Sequence, residues 1–268
     1  MSAERAPAGV DTTVPSVARM YDYYLGGKDN YAVDREAAAK VIEASRETGT
    51  DIQVAARDNR AFLGRAVRAL ADSGVRQFLD VGAGLPTQEN VHQVARRSAP
   101  DSRTVYVDND PMVLVHARAL LAGDPRTSVL AGDVRDPASI LDDPGLAVLD
   151  LGEPVAVFFC AILQFVPDDD EVAAILGAFR ERLAPGSHLV LSHPFYGERP
   201  DEAFDEIGEV YTRSSSGSFT LRTRPSLQRL LAGTEPLEPG LVPVQSWRGD
   251  REPDFTVPSY LGAVARIT

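Results

Sequence analysis

From Gly74 onward the chain alternates short apolar runs with helical stretches, and this alternation constrains the fold more than any other feature. The run Gln77 to Val81 is followed by a helical pattern over Val91 to Arg97, and Thr104 to Val107 by Pro111 to Leu121. The same order repeats with Ser128 to Leu130, Pro137 to Leu141, Val155 to Ala161, Asp169 to Leu183 and His188 to Ser192. Strands separated by helices at this spacing require right-handed crossovers, and so a mostly parallel sheet. Beyond Phe195, a Pro-, Gly- and Ser-rich stretch to about Gly217 reads as a long loop with a short helix around Asp201 to Val210. A further helix opens at Arg224-Pro225-Ser226 and runs to about Leu231. Leu241 to Trp247 and Tyr260 to Ile267 read as two last strands, expected to pair as an antiparallel hairpin at the sheet edge.

The region before Gly74 has a different period. Alanine-rich helical patterns cover Val17 to Leu25, ending at Gly26-Gly27, then a stretch from an Asp34 cap to Glu47, then Ile52 to Ala71. In the last of these Val54, Ala55, Phe62, Ala66, Val67 and Leu70 recur close to every 3.6 residues. The expected division is a flexible tail over 1–14, a helical extension or lid over 15–73, and an α/β domain over 74–268. With 44 % hydrophobic and 25 % charged residues, 268 residues can bury a sizeable core.

The formal net charge is −12, which argues against a general phosphate-neutralising surface and so against a nucleic-acid partner. Met1 to Thr13 is polar, without the apolar centre of a signal peptide, and no run of about 18 apolar residues suggests a membrane span. The single cysteine, Cys160, has no partner for an internal disulfide and fits a reducing compartment. A cytoplasmic protein is expected. Metal-ligand spacings of Cys and His are absent, as is a Gly-x-Ser-x-Gly nucleophile elbow.

Three stretches carry the expected binding chemistry. In Asp80-Val81-Gly82-Ala83-Gly84 a strand runs straight into Gly-x-Gly, where glycine permits positive φ and close approach of a ligand to the backbone. Thr87 is placed to cap the helix that follows. Asp108, 24 residues after Gly84, ends the next strand in Val107-Asp108-Asn109-Asp110-Pro111, where a carboxylate can accept hydrogen bonds from both hydroxyls of a ribose. The competing reading makes Asp108 and Asp110 helix-start carboxylates. Asp133 follows the third strand in Gly132-Asp133-Val134, within reach of an adenine amino group, with Val134 able to touch the ring. Gly-Asp is equally a turn signal.

The order Asp80-x-Gly82-x-Gly84, Asp108 and Asp133 resembles that of class I S-adenosylmethionine (SAM) methyltransferases. Two further segments, Ala18 to Tyr31 (ARMYDYYLGGKDNY) and Gly84 to His92 (GLPTQENVH), resemble an actinobacterial SAM-dependent methyltransferase family of largely unassigned substrate. The likeness runs from about Val14 to the end of the chain. It implies a Rossmann-like seven-stranded sheet with a reversed last strand and SAM as cofactor, and it implies no acceptor. Pro86 stands where many class I enzymes carry a third glycine, so a locally different loop path is expected.

In an open parallel sheet the acceptor lies outside the carboxyl ends of the strands. That rule selects Ile162 to Phe165, together with His193 to Tyr196. His193 is the candidate general base, with Tyr196 beside it, and a hydrogen-bonded structural histidine is the competing reading. Tyr21 and Tyr24 are candidates to cover the cofactor or to pack into the core, and Gly26 to Asn30, with Gly27, to form a functional loop. Arg57, Arg60 and Arg65 read as a solvated helix face, and so do Glu202, Asp205, Glu206 and Glu209. A small-molecule methyltransferase is therefore the leading expectation. A SAM- or nucleoside-binding regulator without catalysis remains open. A nicotinamide-dependent oxidoreductase shares the glycine turn and Asp108 but lacks Gly-x-Gly-x-x-Gly and a Tyr-x-x-x-Lys pair.

Overall fold

The computed structural model describes residues 6–7, 9–86, 89–197 and 203–268. The expectations for Thr87, Asp201 and Glu202 lie outside the described residues. Helix α1 (Val17–Tyr24) begins at Ser16, and α2 (Ala32–Glu47) begins at Tyr31. Asp34 supports the start of α2 from its third position rather than as the cap residue, accepting from the Tyr31 N–H at 2.8 Å. A third helix, α3 (Ile52–Asp72), is capped by Asp51.

The alternating part follows: β1 (Gln77–Val81), α4 (Val91–Ser98), β2 (Arg103–Asp108), α5 (Pro111–Leu120), β3 (Thr127–Ala131), α6 (Pro137–Leu141), β4 (Ala156–Cys160), α7 (Asp169–Arg182) and β5 (His188–Phe195). The chain ends with α8 (Ala203–Thr212), α9 (Arg224–Leu230), β6 (Thr234–Pro236), β7 (Val242–Pro243) and β8 (Ser259–Ile267).

These strands form an eight-stranded sheet in the order β3-β2-β1-β4-β5-β8-β6, with β7 also paired to β8. Strands β1 to β5 are parallel, and β8 is antiparallel to β5, from His188 opposite Arg266 to Phe195 opposite Ser259. The expected count was seven. The eighth arises because the outer edge comes in two pieces, β6 opposite Ala265 to Ile267 and β7 opposite Leu261 and Gly262. The two last strands pair antiparallel at the edge as expected, but the first is short: Val242–Pro243 pair with β8, extended by the Val244 N–H donating to the Tyr260 carbonyl at 2.9 Å. β8 lies between β5 and that edge.

Both faces of the sheet are covered. Leu79, Val107, Val157, Phe159 and Leu191 point to one side, under α6, α7 and α9. Phe78, Tyr106, Phe158 and Val190 point to the other, where Phe62, Val67 and Leu70 of α3 pack beside α4 and Trp247. A separate cluster joins Met20 and Tyr24 of α1, Ala38 and Val41 of α2, Ala56 of α3, and Ile207 and Tyr211 of α8. The first helices and the late α8 thus form one cap, tied again by the Ser215 N–H donating to the Pro15 carbonyl at 2.8 Å. Residues 11 and 14, in the expected tail, accept hydrogen bonds from Arg19 through their carbonyls. Among the described residues, no helix is long and apolar enough to cross a membrane.

Candidate functional site

Between the carboxyl ends of the strands and the helical cap lies an open cleft with about 1240 Å³ of empty space, counting the part exposed to solvent. The sheet order sets its long axis, from Asp133 after β3, past Asp108 and Gly82, to the turn after β4 and Tyr260 at the start of β8.

The first wall is made of strand ends. Gly82 has φ +76°, and a Cβ there would stand 2.8 Å from the Ile162 side chain, so both conformation and space demand glycine. Gly84 has φ +67°, and a Cβ there would meet nothing within 4 Å; its outer face opens onto free space. The N–H of Gly84 donates to one Asp108 oxygen at 2.9 Å, and the N–H of Asp110 donates to the other at 2.9 Å. Burial nevertheless pushes the Asp108 carboxyl up to about 6, against the pull of those two N–H groups. Asp80 is also raised to about 6 by burial, with Arg60 pulling it down and Asp108 pushing it further up.

Asp110 caps α5, accepting from the Met112 N–H at 2.8 Å, and it also takes a hydrogen bond from the Ser16 hydroxyl. Asp133 is engaged by both Nε and Nη2 of Arg135, at 2.9 and 2.6 Å, and by Asn109 Nδ2 at 3.2 Å. The Arg135 contacts hold its carboxyl down to about 2. Asp80, Gly82, Ala83, Gly84, Asp108, Asn109, Asp133, Val134 and Tyr21 of the predicted set all border this one cleft.

Three predicted residues do not reach it. His193 is fully buried. Its Nδ1 lies 2.8 Å from the Pro194 carbonyl and its Nε2 lies 3.2 Å from Arg222 Nη1. A carbonyl only accepts and a guanidinium only donates, so Nδ1 carries the proton and the Nε2 lone pair is taken. Burial pushes the ring down to about 3. The competing structural reading of His193 fits this geometry, because a base needs a lone pair facing its substrate. Tyr196 stacks on Phe195, with centroids 5.9 Å apart, and packs against Phe204. Gly27 packs on Asp22, whose carboxylate accepts from the Asp29 N–H and from Asn30 Nδ2, so the 26–30 loop is organised by its own helix.

The second wall combines Tyr21 and the Ile162 to Phe165 stretch, which the sequence had offered, with helix residues that sequence reasoning missed. Asn59, Arg60 and Leu63 reach the cleft from α3, Gln164 and Phe165 from the turn after β4, and Tyr211 from α8. Of the helix face read as solvated, Arg57 is exposed, whereas Arg60 borders the cleft and Arg65 donates to the Val244 and Trp247 carbonyls. No periodicity distinguishes these positions from ordinary helix residues. Ala161 adopts φ +54°, unusual without glycine, and redirects the chain into the turn that places Gln164. Arg222, 2 % exposed, fixes that turn by donating to the Leu163 carbonyl at 2.9 Å and the Val166 carbonyl at 2.7 Å while pairing with Asp169.

A family model described as S-adenosyl methyltransferase matches residues 3–268. Two solved structures are similar over nearly their whole length. A candidate methyltransferase from Thermobifida fusca has 37 % identity and a TM-score of 0.89, with 99 % of this chain and 100 % of that one covered. A protein of the family designated DUF574 from Streptomyces avermitilis has 39 % identity and a TM-score of 0.87, covering 96 % and 99 %. No protein of curated function matches the chain.

Proposed function

The chain belongs to the S-adenosyl methyltransferase family, and from that premise we propose that it methylates a small molecule, with SAM held along the strand-end wall of the cleft. It is a SAM-dependent methyltransferase with a Rossmann-like class I fold. Bound SAM supplies a methyl group activated on a sulfonium. The residues fit an adenosyl group: Gly84 leaves open space above its backbone, and Asp108 faces the same space with its two oxygens already oriented.

The observation that carries the reading is the Asp108 carboxylate, locked by Gly84 and Asp110 at the carboxyl end of β2, one strand from the switch point between β1 and β4, where ribose hydroxyls have two acceptors waiting. Asp133 and Val134 would border the adenine, with Asn109 positioning Asp133. Gly82 and Ala83 would lie along the chain toward the sulfur, near Asp80. Among the described residues lining the cleft, Arg60 and Arg135 are the cations, and Arg135 is paired with Asp133. Arg60 is therefore the partner for the cofactor's carboxylate. Methyl transfer is an in-line displacement, so the cap's contribution is positioning and exclusion of water. The net charge of −12 supports a small acceptor over a nucleic acid, and Cys160 suits the reducing cytoplasm.

The test is release of S-adenosylhomocysteine (SAH) from SAM in the presence of fractionated small-molecule, protein and RNA pools. Release with the small-molecule fraction is expected, and it would also separate an enzyme from a non-catalytic binder. Release only with the protein or RNA fraction would contradict the proposal.

A further inference from the structure

The end of the cleft beyond the proposed cofactor wall holds two buried carbonyl oxygens without partners. Asn59 and Gln164 are each 3 % exposed, and Asn59 Oδ1 and Gln164 Oε1 accept no hydrogen bond. The hydrogen-bond network fixes which end of each amide is which. The Tyr21 hydroxyl donates to the Ala56 carbonyl at 3.0 Å, so Asn59 must present Nδ2, as donor, to the Tyr21 oxygen at 3.0 Å. Gln164 presents Nε2 to the Ala161 carbonyl, an obligate acceptor, at 2.7 Å. Flipping either amide would set two acceptors, or an oxygen and a committed hydroxyl, against each other. Both free atoms are therefore oxygens that require a donor, because a buried acceptor left unpaired is destabilising.

The surroundings narrow what that donor is. Tyr21, Phe165, Tyr211 and Tyr260 line the same end, and Phe165 and Tyr211 have ring centroids 5.8 Å apart. Carbonyl oxygens and aromatic rings favour N–H groups and positive charge over negative charge. Among the described residues lining the cleft, the one cation near this end is Arg60, which donates toward Glu89 and Asn90, and Arg135 is at the opposite end with Asp133. A phenolate, thiolate or carboxylate nucleophile would set its negative charge against the two carbonyl oxygens and the ring faces there.

We infer that Asn59 and Gln164 form the nitrogen-binding end of the acceptor site, and that the enzyme methylates a small neutral amine. This rests on the methyltransferase reading above and specifies its substrate class. The amine's N–H groups donate to the two carbonyl oxygens, which leaves its lone pair free to point at the methyl carbon. The N–C bond forms as the C–S bond breaks, and the sulfur keeps that electron pair. The product is a methylammonium ion that retains its protons until it leaves for water, so no general base is needed at the moment of transfer. The absence of an available lone pair on His193 is consistent with this chemistry.

The experiment uses sinefungin, which carries an amine where SAM carries its methyl, against SAH, which carries nothing there. Isothermal titration calorimetry on the full chain should show sinefungin binding at least about tenfold more tightly than SAH. Gln164→Leu and Asn59→Leu should each bring that ratio toward one while SAH affinity stays near the wild-type value, and Gln164→Glu should preserve or raise it. A wild-type ratio near one would overturn the inference without any variant. Equal loss of both ligands in the leucine variants, with Gln164→Glu behaving normally, would also overturn it, by assigning the oxygens to the cofactor's own α-ammonium. Failure of SAH itself to bind the wild type would remove the methyltransferase reading, and this inference with it.

Discussion

The two walls of the cleft are built in opposite ways. The strand-end wall comes from three short segments, 80–84, 108–110 and 132–135, each a strand followed at once by a turn whose residues are set by local geometry. The facing wall gathers single residues from α1, α3, the turn after β4, α8 and the start of β8, more than 200 residues apart in the chain. A local wall inherits its shape from backbone rules. An assembled wall is positioned by long-range ties, here Arg19 with Asp34 at 2.8 Å in the cap and Arg222 with Asp169 beneath the post-β4 turn.

The largest effect should appear where the assembled wall hangs on one residue. Arg222→Met removes the guanidinium donor from the Val166 and Leu163 carbonyls, leaving the latter only the Val166 N–H, and unpairs Asp169, at a cost of about 3 kcal/mol. Thermal denaturation should show Tm falling by roughly 6–12 °C. If the walls are as separate as described, the variant, once folded, keeps SAM affinity within about threefold, and a loss as large as that of a strand-end variant would erase the distinction.

A smaller effect concerns pH and the strand-end wall. A carboxyl raised to about 6 by burial costs stability when it ionises, so Asp80 and Asp108 contribute stability that is fully present below the ordinary carboxylate range and lost as pH rises through about 6. Ribose hydroxyls need the ionised form of Asp108. SAM affinity should therefore move the other way, weakening up to about tenfold per pH unit below 6. Calorimetry between pH 5 and 8 would show this, and Asp108→Asn should flatten the profile. The smallest effect is expected at the residues that the sequence suggested for catalysis. His193→Gln and Tyr196→Phe should leave SAM affinity within about twofold, with only His193→Gln lowering Tm. A large loss of binding in Tyr196→Phe would return that residue to the site.

The contrast explains what could be read in advance. The helices and strands of the alternating region were legible because hydrophobic period and turn chemistry are local, and Gly82, Gly84 and Asp108 were legible because a strand running into a glycine turn, and the carboxylate after the next strand, have few geometric alternatives. The outer edge strand was not, because three residues ending in Pro236 and two ending in Pro243 are too short to show alternation. Asn59 was invisible for a different reason, and Gln164 was selected only as part of the Ile162 to Phe165 stretch, with no role of its own. A polar residue on a helix or in a turn looks solvated until the tertiary fold buries it. His193 was misplaced as a base because position at a strand's carboxyl end does not reveal that Arg222, 29 residues later, occupies its free nitrogen.

The central claim is that Asp108 anchors SAM on the strand-end wall, and titrating SAM, SAH and NAD into the wild type and Asp108→Ala tests it most directly. The account predicts saturable binding of SAM and SAH but not NAD, with Asp108→Ala weakening both by about 100-fold, on the order of 3 kcal/mol. Unchanged SAM affinity in Asp108→Ala, or binding of NAD alone, would contradict it.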